Sequence, residues 1–198
     1  MITFINDCKE KPFLILKEKY MEAQKANQGS IEAISVSSYS SGKKEVDSRY
    51  VNLKFINGKE LIFFSNYNSK KAEDFKKHNQ VSILLHWNEI NTQIRIKAHV
   101  KKTAKLFSNN YFLNRAIKKN ALSISSSQSQ KIKSFDDVQK KYKNALENKD
   151  LKKCPTYWGG FSMIPYYFEF WEGHKSRINK REIFELNDKV WDEYILEP

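Results

Sequence analysis

The chain has 198 residues, enough for one hydrophobic core and cramped for two. Its 40% apolar and 14% aromatic content excludes a disordered chain, and no run of about 18 apolar residues offers a membrane span. With 35 basic against 23 acidic residues the net charge is +12, which favours an anionic partner: nucleic acid, a membrane surface or a phosphorylated small molecule.

The lysines that carry the excess are scattered, which weakens the nucleic-acid reading. Cys8 and Cys154 are the only cysteines and sit at no metal-ligand spacing, so neither zinc nor a disulfide framework is expected, and the cytoplasm is the expected compartment. The first residues contain no apolar core of signal-peptide length.

Residues 11–27 read as an amphipathic helix, opened by Pro12 and stopped by Asn27 and Gly29. Residues 31–38 and 49–56 read as strands about a polar turn, and Asn57-Gly58 signals a hairpin into a third strand at 61–65. Ser69 is placed to cap a short helix reaching His78. Strands follow at 81–87 and 92–102. In the latter, Ile94, Ile96, Ala98 and Val100 alternate with Gln93, Arg95, Lys97 and His99, the half-buried pattern.

Residues 103–122 read as one helix, 123–129 as a serine-rich loop, and Ser134 opens a helix running to Lys149. Strands at 167–171, 176–186 and 190–196 complete the chain. Hairpin-like order with interspersed helices argues against a doubly wound sheet. It predicts a mainly β (α+β) fold, an antiparallel barrel with peripheral helices, in a single domain over residues 1–198. Neither GxGxxG nor GxxxxGK[ST] occurs, so side chains must hold any phosphate.

Several groups could do so. Arg49 and Lys54 share a strand, and Lys70 and Lys71 begin the short helix, where free N–H groups favour an anion. Adjacent lysines are equally a solvated surface. Gln93 offers a donor and an acceptor to a planar heterocycle. Tyr111 and Arg115, four apart on the expected helix, make either a phosphate grip or an ordinary stacked pair. Trp171 and its aromatic neighbours are core, a flavin wall, or both. If 176–186 is extended, Arg177, Asn179 and Arg181 form one polar row, either an idle strand face or one side of a site.

The order and spacing of these pieces resemble one family. Arg49-Tyr-Val-Asn-Leu-Lys54, Phe63-Phe-Ser-Asn-Tyr-Asn-Ser-Lys-Lys-Ala72, Gln93-Ile-Arg-Ile96, Tyr111-Phe-Leu-Asn-Arg115, Gln128-Ser129, Trp158-Gly-Gly160, Glu169-Phe-Trp171 and Arg177 to Arg181 are similar to segments of the pyridoxamine 5′-phosphate oxidases. The resemblance runs from about residue 10 to Pro198. It implies a split β-barrel of FMN-binding type, and a homodimer with FMN at the interface. The implied reaction is oxidation of pyridoxine or pyridoxamine 5′-phosphate to pyridoxal 5′-phosphate, with oxygen as electron acceptor. It implies no nucleic-acid or membrane partner.

Position by position, the resemblance implies that Arg49, Lys70 and Lys71 hold the FMN phosphate. Phe64, Ser65 and the strand Arg49, Tyr50, Val51, Asn52, Leu53 and Lys54 would line the cofactor, and Gln93 would bond the isoalloxazine. Gln128, Ser129, Trp171 and Arg181 would complete the site from the second subunit. Lys54, Tyr111, Arg115 and Lys119 would bind the substrate phosphate, with Arg177 and Asn179 beside the reacting carbon.

Some positions depart from the family pattern. Asn179 stands in place of a histidine and cannot titrate near neutrality. Lys119 replaces a serine, Phe64 a tyrosine, and Lys70 an arginine, losing a bidentate fork. A basic, Tyr-containing N-terminal arm is expected and not found. These departures keep open a related flavin oxidase with another substrate, of the phenazine-biosynthesis type, and a non-catalytic FMN-binding protein.

Overall fold

A computed structural model describes the chain from Met1 to Pro198. In order, the elements are β1 (Thr3–Ile5), α1 (Lys11–Lys25), β2 (Ala33–Ser40), β3 (Glu45–Asn57), β4 (Glu60–Asn66), α2 (Lys70–Lys77), β5 (Gln80–Trp87) and β6 (Thr92–Lys102). They continue with α3 (Lys105–Leu113), α4 (Ile117–Ser125), α5 (Phe135–Asn148), β7 (Trp158–Glu172), β8 (Lys180–Asn187) and β9 (Val190–Ile195).

Six strands close on themselves in the order β2, β3, β4, β7, β6, β5 and back to β2, every pairing antiparallel. The expected antiparallel barrel is therefore present. Two additions were not expected: β1 lies parallel to β3, and β7 is far longer than the anticipated 167–171. The first part of β7, Trp158 to Met163, pairs with β4 inside the barrel, and its last part, Tyr167 to Glu172, pairs with β8. β8 and β9 thus extend the sheet beyond the closed ring.

Alternation drives this closure. Along β5 and β6 every second residue is buried, and Ile83, Ile94 and Ile96 meet Phe63 and Phe168 in one continuous core. Each large apolar side chain withdrawn this way stabilises the fold by about 1.5–3 kcal/mol. On α1, Phe13, Leu16, Tyr20 and Ala23 recur at helical spacing, and rings from this face pack on Phe168 and Trp87. No helix is long and apolar enough to cross a membrane.

The expected helix over 103–122 is two helices meeting at a corner formed by Asn114, Arg115 and Ala116. Side chains hold the corner: Arg115 Nη1 donates to the Lys119 carbonyl at 3.1 Å and to Ser123 Oγ at 2.7 Å. Asn120 Nδ2 donates to the carbonyls of Phe112 and Leu151 at 2.9 and 3.0 Å. Ser134 caps α5 as expected, accepting from Asp137 N at 3.2 Å. Ser69 precedes α2, but its hydroxyl donates backward to the Asn66 carbonyl at 2.7 Å and caps nothing.

Candidate active site

The start of α2, the α3–α4 corner and the segment after α4 enclose, with β3 and β4, a cavity of about 960 Å³. Asp47 to Asn52, Lys54, Phe64, Ser65, Lys70, Lys71, Tyr111, Asn114, Arg115, Ala116, Lys119, Gln128 and Ser129 line it.

One part of the wall is a cation cluster built on two elements. β3 presents Arg49, which donates to the Val36 carbonyl at 3.2 Å and to Ser38 Oγ at 2.8 Å. Ser38 in turn donates to the buried Asp74 of α2 at 3.1 Å, so the guanidinium is fixed from behind. α2 contributes Lys70, paired with Asp47 and Glu45, and Lys71. Lys71 is only 8% exposed, and its ammonium reaches two hydroxyls, Ser65 Oγ at 3.3 Å and Ser69 Oγ at 3.5 Å, and no carboxylate. Burial, then the nearby Arg49 charge, lower its pKa to about 8. A buried ammonium without a counter-ion, set at the wall of a cavity, is chemically suited to an anion.

A second cationic group lies along the same cavity. Lys54 is the extra residue of a β-bulge, since Leu53 pairs with Phe63 while Phe55 pairs with Ile62. Lys54 follows Tyr50 and Asn52 along the cavity that also receives Arg49, and the bulge breaks alternation so that Ile56, not Phe55, is the next buried residue. Glu32 Oε1 holds its ammonium at 3.3 Å. Burial alone would raise the Glu32 carboxyl, but its backbone hydrogen bond and Lys54 together hold it below the usual range. Nearby, Phe64 stacks on Tyr111 with centroids 3.9 Å apart and on Trp158 at 5.3 Å, and the Arg115 guanidinium lies 5.0 Å over the Trp158 ring. Tyr111 and Arg115 do face one cavity, although the helix break removes the four-residue spacing that suggested it.

Other expectations need correction. Leu53 is buried in the barrel core and does not line the cavity. Gln128 and Ser129, expected from a second subunit, line the cavity of their own chain: Gln128 Oε1 accepts from Ser65 Oγ at 3.1 Å and from Asn66 N at 3.3 Å. Arg177 and Asn179 are not in a strand. They belong to the turn before β8, where Arg177 has φ 60° and Asn179 Oδ1 accepts from His174 N at 3.0 Å. The polar row 177–179–181 therefore does not exist as a strand face.

Gln93, Trp171 and Arg181 do not line the cavity; they are brought together elsewhere. Gln93 pairs across β6–β7 with Trp171, which pairs across β7–β8 with Arg181, so the three stand side by side on one sheet face. Beside them Glu169, 2% exposed, accepts from Arg181 Nε at 2.9 Å, Arg95 Nη1 at 2.7 Å and Tyr167 Oη at 3.1 Å.

Residues 21–147 match the family described as pyridoxamine 5′-phosphate oxidase, and residues 158–198 match the pyridoxine 5′-phosphate oxidase C-terminal dimerisation region. The chain belongs to the pyridoxamine 5′-phosphate oxidase family. A pyridoxine/pyridoxamine 5′-phosphate oxidase of Colwellia psychrerythraea is 33% identical, covering 94% of this chain and 87% of the relative. One from Hydrogenovibrio crunogenus is 32% identical over 97% of this chain and 90% of the relative. Among solved structures, PhzG from Burkholderia lata 383, in complex with tetrahydrophenazine-1-carboxylic acid, superposes with a TM-score of 0.90 at 22% identity. That match covers 95% of this chain and 93% of PhzG. A pyridoxamine 5′-phosphate oxidase-related, FMN binding protein from Nostoc punctiforme has a TM-score of 0.77 at 11% identity, covering 96% and 99%. These two likenesses establish the split-barrel fold.

FMN is the cofactor that goes with the pyridoxamine 5′-phosphate oxidase family, and the donor set suits it. The buried Lys71, without a carboxylate partner and beside Arg49, matches a phosphate, and the cavity volume admits a flavin nucleotide. Sequence reasoning missed Asp47, Asp74, Glu32 and Glu169. Asp47 had a readable signal, since it sits two residues before Arg49 on the same strand and so on the same face. Glu169 had the same signal, two residues before Trp171 on β7, and Asp74 shares α2 with Lys70 and Lys71; Glu32 comes from a segment distant in sequence and gave none.

Proposed function

We propose that this chain is an FMN-dependent oxidase that converts pyridoxine or pyridoxamine 5′-phosphate to pyridoxal 5′-phosphate, with oxygen as electron acceptor. The observation that carries the proposal is a single cavity with two basic groups, Arg49, Lys70 and Lys71 in one and Lys54, Arg115 and Lys119 in the other. Two phosphorylated ligands, cofactor and substrate, are what such a cavity would accommodate together.

In this reading Arg49, Lys70, Lys71 and Ser65 hold the FMN phosphate, with Gln128 and Ser129 of the same chain closing over it. When bound, FMN supplies the two-electron redox chemistry that no side chain here provides. Arg115, Lys119, Tyr111 and Lys54 hold the substrate phosphate and so fix the distance of its reacting carbon. The chain works as one unit over residues 1–198 and as a homodimer. The match of residues 158–198 to a dimerisation region supports this, as does the position of Gln93, Trp171 and Arg181 away from their own cavity, where they are free to serve a partner's.

A second reading is a flavin oxidase of the same fold with a different substrate. Asn179 favours it, since that side chain is engaged with His174 N and has no proton to exchange near neutrality. The test is turnover in air by the purified, FMN-loaded protein, following pyridoxal 5′-phosphate and hydrogen peroxide from each phosphorylated vitamer. Formation of both products from either vitamer is expected. Flavin that neither vitamer reduces would sink the proposal and leave the second reading.

A further inference from the structure

The cation cluster assigned above to the FMN phosphate already contains an anion of the protein's own. Asp47 precedes Arg49 by two residues on β3, so both side chains face the cavity. Its Oδ2 pairs with Lys70 Nζ and lies 3.8 Å from Arg49 Nη2. The hydrogen bond from Lys70 is the main cause that holds the Asp47 carboxyl below its usual range, so it remains charged throughout the neutral region. Of the three cations in the cluster, only Lys71 is without a carboxylate partner.

We propose that Asp47 is a built-in competitor for the cofactor phosphate, holding Lys70 and Arg49 itself and lowering the affinity for any dianion that enters. The proposal rests on the reading that Arg49, Lys70 and Lys71 take the FMN phosphate. A phosphate arriving there must draw Lys70 away from Asp47 and then share Arg49 with a like charge. Like charges a few ångström apart in a partly enclosed site repel substantially. Asp47 is thus an affinity-setting residue with a sign opposite to that of its neighbours.

The test is equilibrium dialysis of the purified full-length chain against FMN or riboflavin, at fixed ionic strength, for the native sequence, Asp47→Asn, Asp47→Ser and Arg49→Ala. Both Asp47 variants are expected to bind FMN about tenfold more tightly, with riboflavin, which lacks the phosphate, changed by less than about twofold. Unchanged or weaker FMN binding in the Asp47 variants overturns the proposal and makes Asp47 a support for Lys70. An equal gain for riboflavin also overturns it, because the effect would not act through phosphate. Arg49→Ala separates the two levels. If it leaves FMN affinity intact, the phosphate assignment itself fails; if it weakens FMN while the Asp47 variants tighten nothing, only the competitor role fails.

Discussion

Burial and the Arg49 charge bring the Lys71 ammonium to a pKa of about 8, inside the range where cells and assays operate. Only the protonated amine pairs strongly with phosphate, so FMN affinity should hold steady between about pH 7, where the phosphate is a dianion, and that value, and decline as pH rises through it. Riboflavin affinity should show no such decline. Lys71→Arg, charged at every accessible pH, should flatten the profile. In the absence of FMN the same group acts on stability with the opposite slope. The unfolded chain keeps this proton to about pH 10.4 while the folded chain releases it near 8, so its contribution to stability rises across that window. Fluorescence titration and urea melts across pH measure the two effects.

Arg115 and Arg49 separate the two proposed phosphate sites at the same scale. Arg115→Ala should raise KM for a phosphorylated vitamer by about tenfold or more, from loss of charged hydrogen bonds, with less effect on kcat. It should also lower Tm, because Arg115 braces the α3–α4 corner through the Lys119 carbonyl and Ser123. Arg49→Ala should leave that corner alone and release FMN. The reverse pattern in steady-state kinetics and flavin content would mean that the two sites have been exchanged.

Among the elements, β7 carries the tightest backbone constraint. A Cβ on Gly159 would lie 2.2 Å from the Tyr67 hydroxyl and 2.8 Å from Ser108 Oγ. Gly159→Ala should therefore destabilise the chain by about 1–3 kcal/mol, visible as a lowered urea midpoint. Local pattern made most elements legible. β6 was readable to its end residues because Ile94, Ile96, Ala98 and Val100 alternate, and Pro12 marked the start of α1. What escaped was settled by contacts remote in sequence. Helix propensity runs through residues 103–122, and the corner at Asn114 to Ala116 exists because Asn120 reaches both Phe112 and Leu151. The alternation of Arg177, Asn179 and Arg181 looked like a strand, yet only Arg181 has a partner on β7. The two before it are held in a turn by His174. Lys54 lines the cavity as alternation from Tyr50 and Asn52 suggests, whereas period-2 reasoning gives no warning of the bulge between Leu53 and Phe55.

For the whole molecule, the barrel was legible from hairpin order, whereas its closure depends on the pairing of β4 with β7, about a hundred residues apart and invisible to local pattern. Of the candidate site, the residues near Arg49, Lys71, Tyr111 and Arg115 do meet at one cavity, but their grouping with the C-terminal residues was not legible. Gln128 and Ser129 join Ser65 within one chain, while Gln93, Trp171 and Arg181 stand on a separate sheet face. That separation has a consequence in heredity. If the face of one protomer completes the cavity of the other, two inactive chains can restore each other, provided one is damaged only in the cavity and the other only on the face. Mixing Arg49→Ala with Arg181→Ala and allowing subunits to exchange should return about a quarter of the native sites, because half of the dimers are mixed and each carries one undamaged pair. Neither variant alone should recover. Two faulty copies of the gene in one cell would then be sufficient where either one alone would fail.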